Sequence, residues 1–500
     1  MTTPTVTEVT SGSPDLASGE VPSSPLTIGE TVHELHRALQ DYIEATYHVS
    51  HPALVEERRA LLASNGVISQ RPFFESTPRY RTDRRFRDIS GLPQSVLDLF
   101  ETISRKPESD VDPKRLIFDP PYEHQLRAVE TALVGISKEA GPPRQDLVVM
   151  TGTGSGKTES FLLPILGKLI REASARGHGF GEQAAVRALV LYPMNALVND
   201  QLGRMRLLFA DPRVVAAFKI ASGRPARFAR YTSRTLYPGV RNAKRDQARL
   251  RPIGEYYVEK LEEGSASESL VRELQERGKW PAKADLRSWY GEKGARWERD
   301  GEFLRCNTME DDAELLTRHE VHAHPPDVLI TNYSMLEYML MRPLERPVFD
   351  RTRDWLEQNP DERFLLVLDE AHLYRGAAGT EVALLIRRLR SRLGVPPERL
   401  QVICTSASFS DTTKAAEFGA QLTGKSIDGF EVVTGELALR SPDTEGTAKE
   451  AELLASIDLD AYHKAVTADG RVDPLRSFLE ARGLSAQRLQ TNAVTSMVQL

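Results

Sequence analysis

The stretch of sequence that decides the fold lies at residues 148–158. It reads Val148-Val149-Met150-Thr151-Gly152-Thr153-Gly154-Ser155-Gly156-Lys157-Thr158. The apolar residues favour a strand, the glycines favour a tight turn, and residues 157–171 then have helical spacing. Glycines let backbone N–H groups curl around phosphate oxygens, and the helix N-terminus adds the positive end of its dipole. This order therefore predicts a phosphate-binding loop rather than an ordinary glycine-rich turn.

The residues of this loop have separate expected roles. Lys157 is expected to reach the β- and γ-phosphates of a nucleotide, and the Thr158 hydroxyl is expected to bind Mg²⁺. Thr151 stands where the usual pattern has glycine, whereas the end of the pattern is intact. The other residues expected to bind the nucleotide here are Thr153, Gly154, Ser155 and Gly156.

A second chemical signal follows residues 364–368. These residues form an apolar run typical of a buried strand, and Asp369-Glu370-Ala371-His372 comes directly after it. In parallel sheets, a carboxylate at the carboxyl end of a strand faces the ligand-binding crevice. We therefore expect Asp369 to hold Mg²⁺ and Glu370 to orient or deprotonate the attacking water, with Lys157 as the third catalytic residue. The plainer alternative is a solvated acidic turn.

The rest of the chain alternates between strand-like and helical patterns. Apolar runs at 188–192, 327–331 and 400–405 are separated by helical segments such as 195–209. Strands that alternate with helices predict an α/β fold, with a parallel sheet flanked by helices.

Patterning divides the chain into four regions. Residues 1–25 are rich in Ser, Thr, Pro and Gly and are expected to be a disordered tail. Residues 26–115 have mainly helical patterns and predict an accessory region. Residues 116–425 carry the alternation of strands and helices, with an insertion at 223–320. Residues 426–500 are expected to be a linker or the start of a following region.

Composition excludes several classes of protein. The 500 residues are 40% hydrophobic and 27% charged, with a formal net charge of −6. This balance is typical of a globular protein and excludes a uniformly basic nucleic-acid binder. The apolar runs are strand-sized, so no membrane helix is predicted. The two cysteines, Cys306 and Cys404, exclude a disulfide scaffold, and residues 1–36 lack a secretory pattern. A cytoplasmic location is expected.

Together, the glycine-rich loop and the acidic strand end resemble the motifs of superfamily 2 helicases of the DEAD/DEAH-box type. More narrowly, the chain is similar to large bacterial repair and phage-defence helicases that carry a C-terminal cysteine cluster. The resemblance implies a RecA-like P-loop NTPase domain that binds and hydrolyses Mg·ATP. Gln125, at the end of Pro121-Tyr122-Glu123-His124-Gln125, resembles the adenine-recognising glutamine of the family. The alternative for Gln125 is a plain residue on a surface helix.

The same resemblance implies residues that contact nucleic acid and residues that couple this contact to the nucleotide. Tyr192-Pro193-Met194-Asn195 and Thr331-Asn332-Tyr333-Ser334 resemble two contact motifs of the family. The contact residues expected from them are Pro193, Asn195, Gln201, Thr331 and Asn332. The coupling motif is expected at Ser406, Ala407 and Ser408, with His372 as its partner. A strand end made of small residues is the alternative for the coupling motif.

A basic segment at residues 221–252 offers a further nucleic-acid contact. It holds nine basic residues and a single acidic residue, with Phe228, Tyr231 and Tyr237 between the arginines. Arginine contacts to phosphates combined with aromatic stacking on bases suit a single strand. Arg227 and Arg230 are the expected contacts. A basic loop that is solvated, or docked on acidic parts of the chain, is the alternative.

The family works by closing two RecA-like lobes around ATP, and the second lobe supplies arginine fingers. Residues 409–500 show no motifs of such a lobe, so we expect it in a larger chain or a partner protein. The leading hypothesis is the first motor lobe of an ATP-dependent helicase or translocase. Its expected partner is single-stranded or duplex DNA, with RNA possible, in DNA repair or phage defence. The alternative is a nucleotide-gated nucleic-acid-binding subunit that does not unwind.

Overall fold

A computed structural model describes residues 28–64, 66–69, 80–105, 116–137, 143–152, 154–236, 239–262, 265–291, 296–407, 409, 411–438, 448–465, 470 and 472–481. The chain splits into two compact units. The first combines Met1–Thr77 with Leu439–Leu500, and the second is Pro78–Ala438. The tail predicted at residues 1–25 lies outside the described residues.

The second unit is built on an eight-stranded sheet in which all neighbouring strands are parallel. The strand order is β10-β1-β9-β8-β2-β7-β3-β6. The strands are β1 (Asp146–Met150), β2 (Ala188–Tyr192), β3 (Phe228–Tyr231), β6 (Glu314–Leu315), β7 (Val328–Asn332), β8 (Phe364–Leu368), β9 (Leu400–Ser406) and β10 (Phe430–Thr434). A separate antiparallel pair joins β4 (Glu298–Arg299) and β5 (Glu302–Phe303).

Helices cover both faces of this sheet, which explains why its central strands are apolar at successive positions. In β8, Leu365 and Val367 face one core, and Leu366 and Leu368 face the other. The predicted α/β class with a parallel sheet is confirmed.

The helices have the following bounds. They are α1 (Ile28–Thr46), α2 (Pro52–Leu62), α3 (Gln94–Ser104), α4 (Glu123–Leu133), α5 (Glu159–Arg176), α6 (His178–Glu182), α7 (Asn195–Phe209), α8 (Pro212–Ser222), α9 (Ala243–Glu262), α10 (Ser265–Glu276), α11 (Leu286–Tyr290), α12 (Arg318–Ala323), α13 (Tyr333–Met341), α14 (Arg346–Gln358), α15 (Gly376–Leu393), α16 (Thr412–Thr423), α17 (Ala448–Ala455), α18 (Leu459–Lys464) and α19 (Arg476–Ala481). Among the described helices, none combines the length and the hydropathy needed to cross a membrane.

The first unit, where described, is helical. It contains α1, α2 and α17 to α19, and a small apolar core forms around Tyr462, Leu475 and Phe478. An ion pair of 2.5 Å joins Lys464 Nζ to Glu30 Oε1, so α18 contacts α1 within this unit.

Three predicted boundaries differ from the structure. The accessory region expected at 26–115 is divided, because α3 belongs to the second unit and packs against α5. The domain expected to end at residue 425 continues through β10, which pairs with β1 along its whole length. The insertion expected at 223–320 contributes β3 and β6 to the sheet, so the segment that departs from the sheet lies between them. β3 and β6 have only four and two residues, which makes them hard to recognise by pattern. The packing of α3 on α5 and the pairing of β10 with β1 join residues that are far apart in sequence.

Candidate nucleotide site and nucleic-acid surface

The carboxyl edge of the sheet brings the glycine-rich loop and the acidic pair together. The loop follows β1, and Asp369 and Glu370 follow β8, with β9 between these strands. Lys157 Nζ lies 3.4 Å from Glu370 Oε1 across this edge. Residues 213 positions apart in sequence therefore face the same space.

This space is a cavity of about 810 Å³, which lies in the range of small-molecule pockets. Its lining includes the polar residues Lys157, Thr158 and Glu370 and the more apolar residues Ile117, Phe118 and Tyr122. Such a mixed lining suits a ligand with a charged part and an aromatic part.

The loop needs its glycines at two positions. Gly154 and Gly156 have φ values of +77° and +75°, in the left-handed region where a side chain is strained. A Cβ on Gly156 would also lie 2.3 Å from Gln125 Nε2. Thr153, which was expected to bind the nucleotide, lies outside the described residues.

The amide of Gln125 is engaged by the protein itself. Its Nε2 donates to the Gly156 carbonyl at 3.0 Å, and its Oε1 accepts from the Tyr122 backbone N–H at 3.1 Å. Gln125 therefore supports the loop in this structure, whereas the resemblance assigns its amide to adenine.

His124, which the motif analysis did not single out, also supports the loop. Its Nε2 lies 3.0 Å from the Ser155 carbonyl oxygen. Burial lowers the pKa of His124 to about 4, so the ring is neutral near pH 7. Because a carbonyl can only accept, Nε2 is the nitrogen that carries the proton. Its position one residue before Gln125 is the only sequence signal for this role.

The acidic pair has two different environments. Asp369 is buried, and its Oδ1 accepts hydrogen bonds from the Thr405 hydroxyl and from the Glu370 backbone N–H. Burial raises the pKa of Asp369 above its ordinary value. Glu370 is more exposed and adopts a left-handed φ of +48°. Thr405 was not predicted as a site residue, although it directly precedes Ser406.

The residues present fit a hydrated magnesium ion. Within the described part of the chain, the hydrogen bonds to Asp369 fall on Oδ1, which leaves Oδ2 for a metal or its water. Thr158 lines the cavity beside Lys157 and Glu370, and its hydroxyl would supply a second oxygen. Oxygen donors of this kind, few in number, are typical of Mg²⁺ sites that also use phosphate oxygens and water.

Ser406, the first of the expected coupling residues, lies beside the loop. The Ser406 carbonyl accepts from the Thr151 backbone N–H at 3.3 Å, and β9 ends there. His372, the expected partner, has Nδ1 3.2 Å from Glu370 Oε2. The segment thus joins loop to strand through its backbone. Ala407 follows Ser406 directly, and Ser408 lies outside the described residues.

Two of the expected nucleic-acid contacts come together at the ends of β2 and β7. Asn332 Nδ2 donates to Asn195 Oδ1 at 2.6 Å, and Asn332 Oδ1 caps α13 by accepting from the Met335 backbone N–H. Pro193, two residues before α7, and Gln201, within α7, are both half-buried. The side chains of Asn195 and Asn332 thus meet at one edge of the sheet.

Thr331, another expected contact, lies near the end of β7. Its side chain is fully buried, and its hydroxyl donates to the Tyr231 carbonyl at 2.6 Å. The hydroxyl thus joins β7 to β3, and a contact of Thr331 with nucleic acid stays a prediction.

The arginines in the first part of the basic segment also form hydrogen bonds within the protein. The Arg227 guanidinium donates to the Met309 carbonyl at 3.1 Å, and Arg230 donates to Asn199 Oδ1 at 2.8 Å. Burial lowers the pKa of both arginines. Phe228 and Tyr231 are fully buried in the sheet. The expected stacking by these aromatics is therefore wrong, and Arg227 and Arg230 act within the fold; Tyr237 lies outside the described residues.

Most cations in the later part of the basic segment are, in contrast, exposed to solvent. Its exposed cations, here called the basic face, are Arg234, Lys244, Arg245, Arg249 and Arg251. The single acid of residues 221–252, Asp246, is buried and lies 3.4 Å from Arg241. Arg251 pairs with Glu255 one turn later. The basic face is thus a positive surface on the first turns of α9 and the loop before it.

Comparisons with known proteins agree with this geometry. Residues 122–233 and 271–416 match the DEAD/DEAH box helicase family. The Druantia protein DruE of Escherichia coli (strain UMEA 4076-1) is 42% identical over 452 residues, which is 87% of this chain and 24% of that protein. The chain thus spans about a quarter of the length of this relative. The ATP-dependent RNA helicase rok1 of Aspergillus oryzae is 36% identical over 101 residues, 19% of this chain and 13% of that protein.

Among solved structures, the DUF1998 helicase MrfA bound to DNA is similar at 17% identity. The match covers 81% of this chain and 38% of that chain, with a TM-score of 0.37.

Proposed function

Because this chain belongs to the DEAD/DEAH box helicase family, we propose that it is the first motor lobe of an ATP-dependent nucleic-acid helicase or translocase. DNA is the proposed nucleic acid, and DNA repair or phage defence is the proposed setting. These finer assignments follow the resemblance of the 192–197 and 332–336 segments to large bacterial helicases.

The observation that carries the proposal is the distance of 3.4 Å between Lys157 and Glu370 at one cavity. A nucleotide there would draw Lys157 toward its terminal phosphates. That movement would release Glu370 to orient the attacking water. Asp369 and Thr158 would hold Mg²⁺, which supplies charge neutralisation at the β- and γ-phosphates when it is bound.

The nucleic-acid track is proposed to begin at the two asparagines. The register pairs Tyr192 with Asn332 and Thr331 with Tyr231, so β2, β7 and β3 end side by side. Arg234 follows Tyr231 by three residues and is exposed. The start of the basic face is therefore proposed to lie along the same edge of the sheet, beyond Pro193, Asn195 and Asn332.

The basic face is proposed to hold phosphates. Lys244 and Arg245 lie in the first turn of α9, where cations oppose the positive end of the helix dipole and reduce helix stability. The fold gains little from them at this position, which favours a role in binding a polyanion. Since Phe228 and Tyr231 are buried, they cannot stack on bases, and phosphate contact is the chemistry that remains for this surface.

A single lobe surrounds only one side of the γ-phosphate. Electrostatic stabilisation of the transition state from the other side is proposed to come from a second lobe. On its own, the chain is therefore expected to bind ATP and to hydrolyse it slowly.

The test is ATP turnover with and without single-stranded DNA, duplex DNA and RNA, together with strand separation in the presence of a full-length relative. Stimulation by DNA with strand separation is the expected result. ATP-dependent DNA binding without any strand separation would favour the alternative, a nucleotide-gated binding subunit. No ATP binding at all would contradict both.

A further inference from the structure

Two short segments outside the family match fold along the nucleotide loop. Tyr80 pairs with Leu437 in an antiparallel bridge, and the Arg81 backbone N–H donates to the Glu436 carbonyl at 2.9 Å. The second segment continues from β10, and the Gly435 backbone N–H donates to the Met150 carbonyl at 3.2 Å. Since Met150 is the last residue of β1, this pair of segments lies at the root of the loop.

Tyr80 reaches the loop directly. Its hydroxyl oxygen accepts from the Gly152 backbone N–H at 3.3 Å. No other part of the Tyr80 side chain could receive this hydrogen, so the contact depends on the hydroxyl alone. It anchors the residue at which the glycine-rich turn begins.

Tyr80 also reaches the middle of the loop through a neighbour. Its ring meets the His124 ring edge-on, with centroids 5.1 Å apart, and the Tyr122 ring at 5.6 Å. His124 in turn donates to the Ser155 carbonyl at 3.0 Å. The tyrosine thus packs against the histidine that holds Ser155.

The fold makes room for this ring with a glycine. A Cβ on Gly435 would lie 2.3 Å from Tyr80 Cε1 and 3.0 Å from Thr151 Cγ2. Because the distance to Tyr80 is too short for a real Cβ and the distance to Thr151 is a tight contact, any other residue at 435 would displace the ring or shift the loop. The position of Tyr80 is therefore set by its own segment and by the strand end beneath it.

We propose that Tyr80 is a positioning residue for the nucleotide: it holds Gly152, and through His124 also Ser155, in the loop conformation that receives the phosphates. This inference rests on the proposed ATP-binding function. Within the described residues, the contacts of Tyr80 fall on the loop side of the cavity and none falls on Asp369 or Glu370. Tyr80 is therefore expected to affect the affinity for ATP and to leave the chemical step unchanged.

The direct test compares Tyr80→Phe with wild type in ATP titrations and steady-state turnover. Phenylalanine keeps the ring packing and removes only the acceptor for Gly152. The expected result is a KM and a Kd for ATP raised by about three- to tenfold, the effect of one hydrogen bond, with kcat within twofold. Tyr338→Phe, at a tyrosine exposed on α13, is the matched control and should leave both values unchanged.

A second test moves the ring without altering it. Gly435→Ala should weaken ATP binding, and most of this loss should disappear in a Tyr80→Ala background, since the clashing ring is then absent. Equal losses from Gly435→Ala in both backgrounds, together with wild-type KM in Tyr80→Phe, would overturn the inference. If wild type itself fails to bind ATP, the proposed function falls as well, which separates the two failures.

Discussion

The glycine-rich loop at 151–158 and the basic segment at 221–252 both look like ligand-binding sequences, yet the fold uses them differently. In the loop, Lys157 lies at a cavity and faces Glu370. In the basic segment, Arg224, Arg227 and Arg230 bond to other parts of the protein. The loop is defined by backbone geometry over a few residues, whereas a long arginine side chain can pair with an acid far away in sequence. Local motifs therefore predict sites better than local charge does.

The first prediction, with the largest effect, concerns Glu370, which faces the glycine-rich loop. Glu370→Gln removes the group that orients the water but keeps its size. Turnover of ATP should fall by about 10²–10⁴-fold, the usual contribution of a positioned general base. ATP binding, measured separately by titration, should be retained.

The control for this change is Glu381→Gln, at an exposed glutamate of α15. It removes the same charge outside the cavity and should leave turnover unchanged. Wild-type turnover by Glu370→Gln would show that this carboxylate is not the base.

The second prediction concerns the buried part of the basic segment, where Arg224 pairs with Asp327. Asp327 is fully buried between Arg187, at 2.8 Å, and Arg224, at 2.7 Å. Burial alone would raise the pKa of Asp327, but the two arginines lower it below its ordinary value. Asp327→Asn leaves the buried Arg224 without the anion it pairs with, whereas Arg187 keeps its second ion pair, with Glu172 at 2.9 Å. The change should cost about 3–5 kcal/mol of unfolding free energy. Chemical denaturation measures this loss.

The exposed part of the basic segment provides the control for this loss of stability. Arg234→Gln, at an exposed position, should change the unfolding free energy by less than about 0.5 kcal/mol. A large loss at Arg234 and none at Asp327 would reverse the assignment of structural and surface roles.

The basic face itself is tested by the salt dependence of binding. The triple change Arg234→Gln, Lys244→Gln and Arg249→Gln removes three exposed cations. The slope of log Kd against log salt should decrease by about 2.7 on duplex DNA and about 2.1 on single strands, from counterion release. Arg272→Gln, exposed on α10, is the control for nonspecific charge. An unchanged slope in the triple variant would remove the basic face from the binding surface.

The smallest predicted effect is a pH dependence shared by both regions. Burial lowers the pKa of His124, near the loop, and of His322, beside Tyr231, from 6.5 to about 4. Between these values the unfolded chain binds more protons, so stability should fall as the pH is lowered from about 6.5 to about 4. Urea unfolding at several pH values, for wild type and His124→Gln, measures this. His124→Gln should show a shallower loss, whereas His178→Gln, at an exposed site, should follow wild type.

The sequence predicted the parallel sheet because its apolar runs are short, regular and followed by helices. Several strands have the predicted bounds, including β2 (Ala188–Tyr192) and β8 (Phe364–Leu368). β3 (Phe228–Tyr231) was missed because Arg227 and Arg230 made a buried strand look like a surface segment. β10 (Phe430–Thr434) was missed because its partner, β1, lies almost 300 residues earlier. Neither register nor distant ion pairs can be read from local pattern.

For the candidate site, the sequence identified the chemical groups but not what supports them. Asp369 and Glu370 directly follow β8, Lys157 lies in the loop between β1 and α5, and the parallel sheet brings them together. Tyr80 and Thr405 hold Gly152 and Asp369 through single hydroxyl contacts. Such contacts depend on three-dimensional packing and carry no sequence periodicity.

The most direct measurement is the affinity for ATP, with and without Mg²⁺, of wild type and Lys157→Ala. Wild type should bind ATP more tightly with Mg²⁺, and Lys157→Ala should lose at least about tenfold in affinity, since a charge-assisted contact to phosphate is removed. Wild-type affinity in Lys157→Ala would contradict the claim that this loop and the acidic pair form one ATP site.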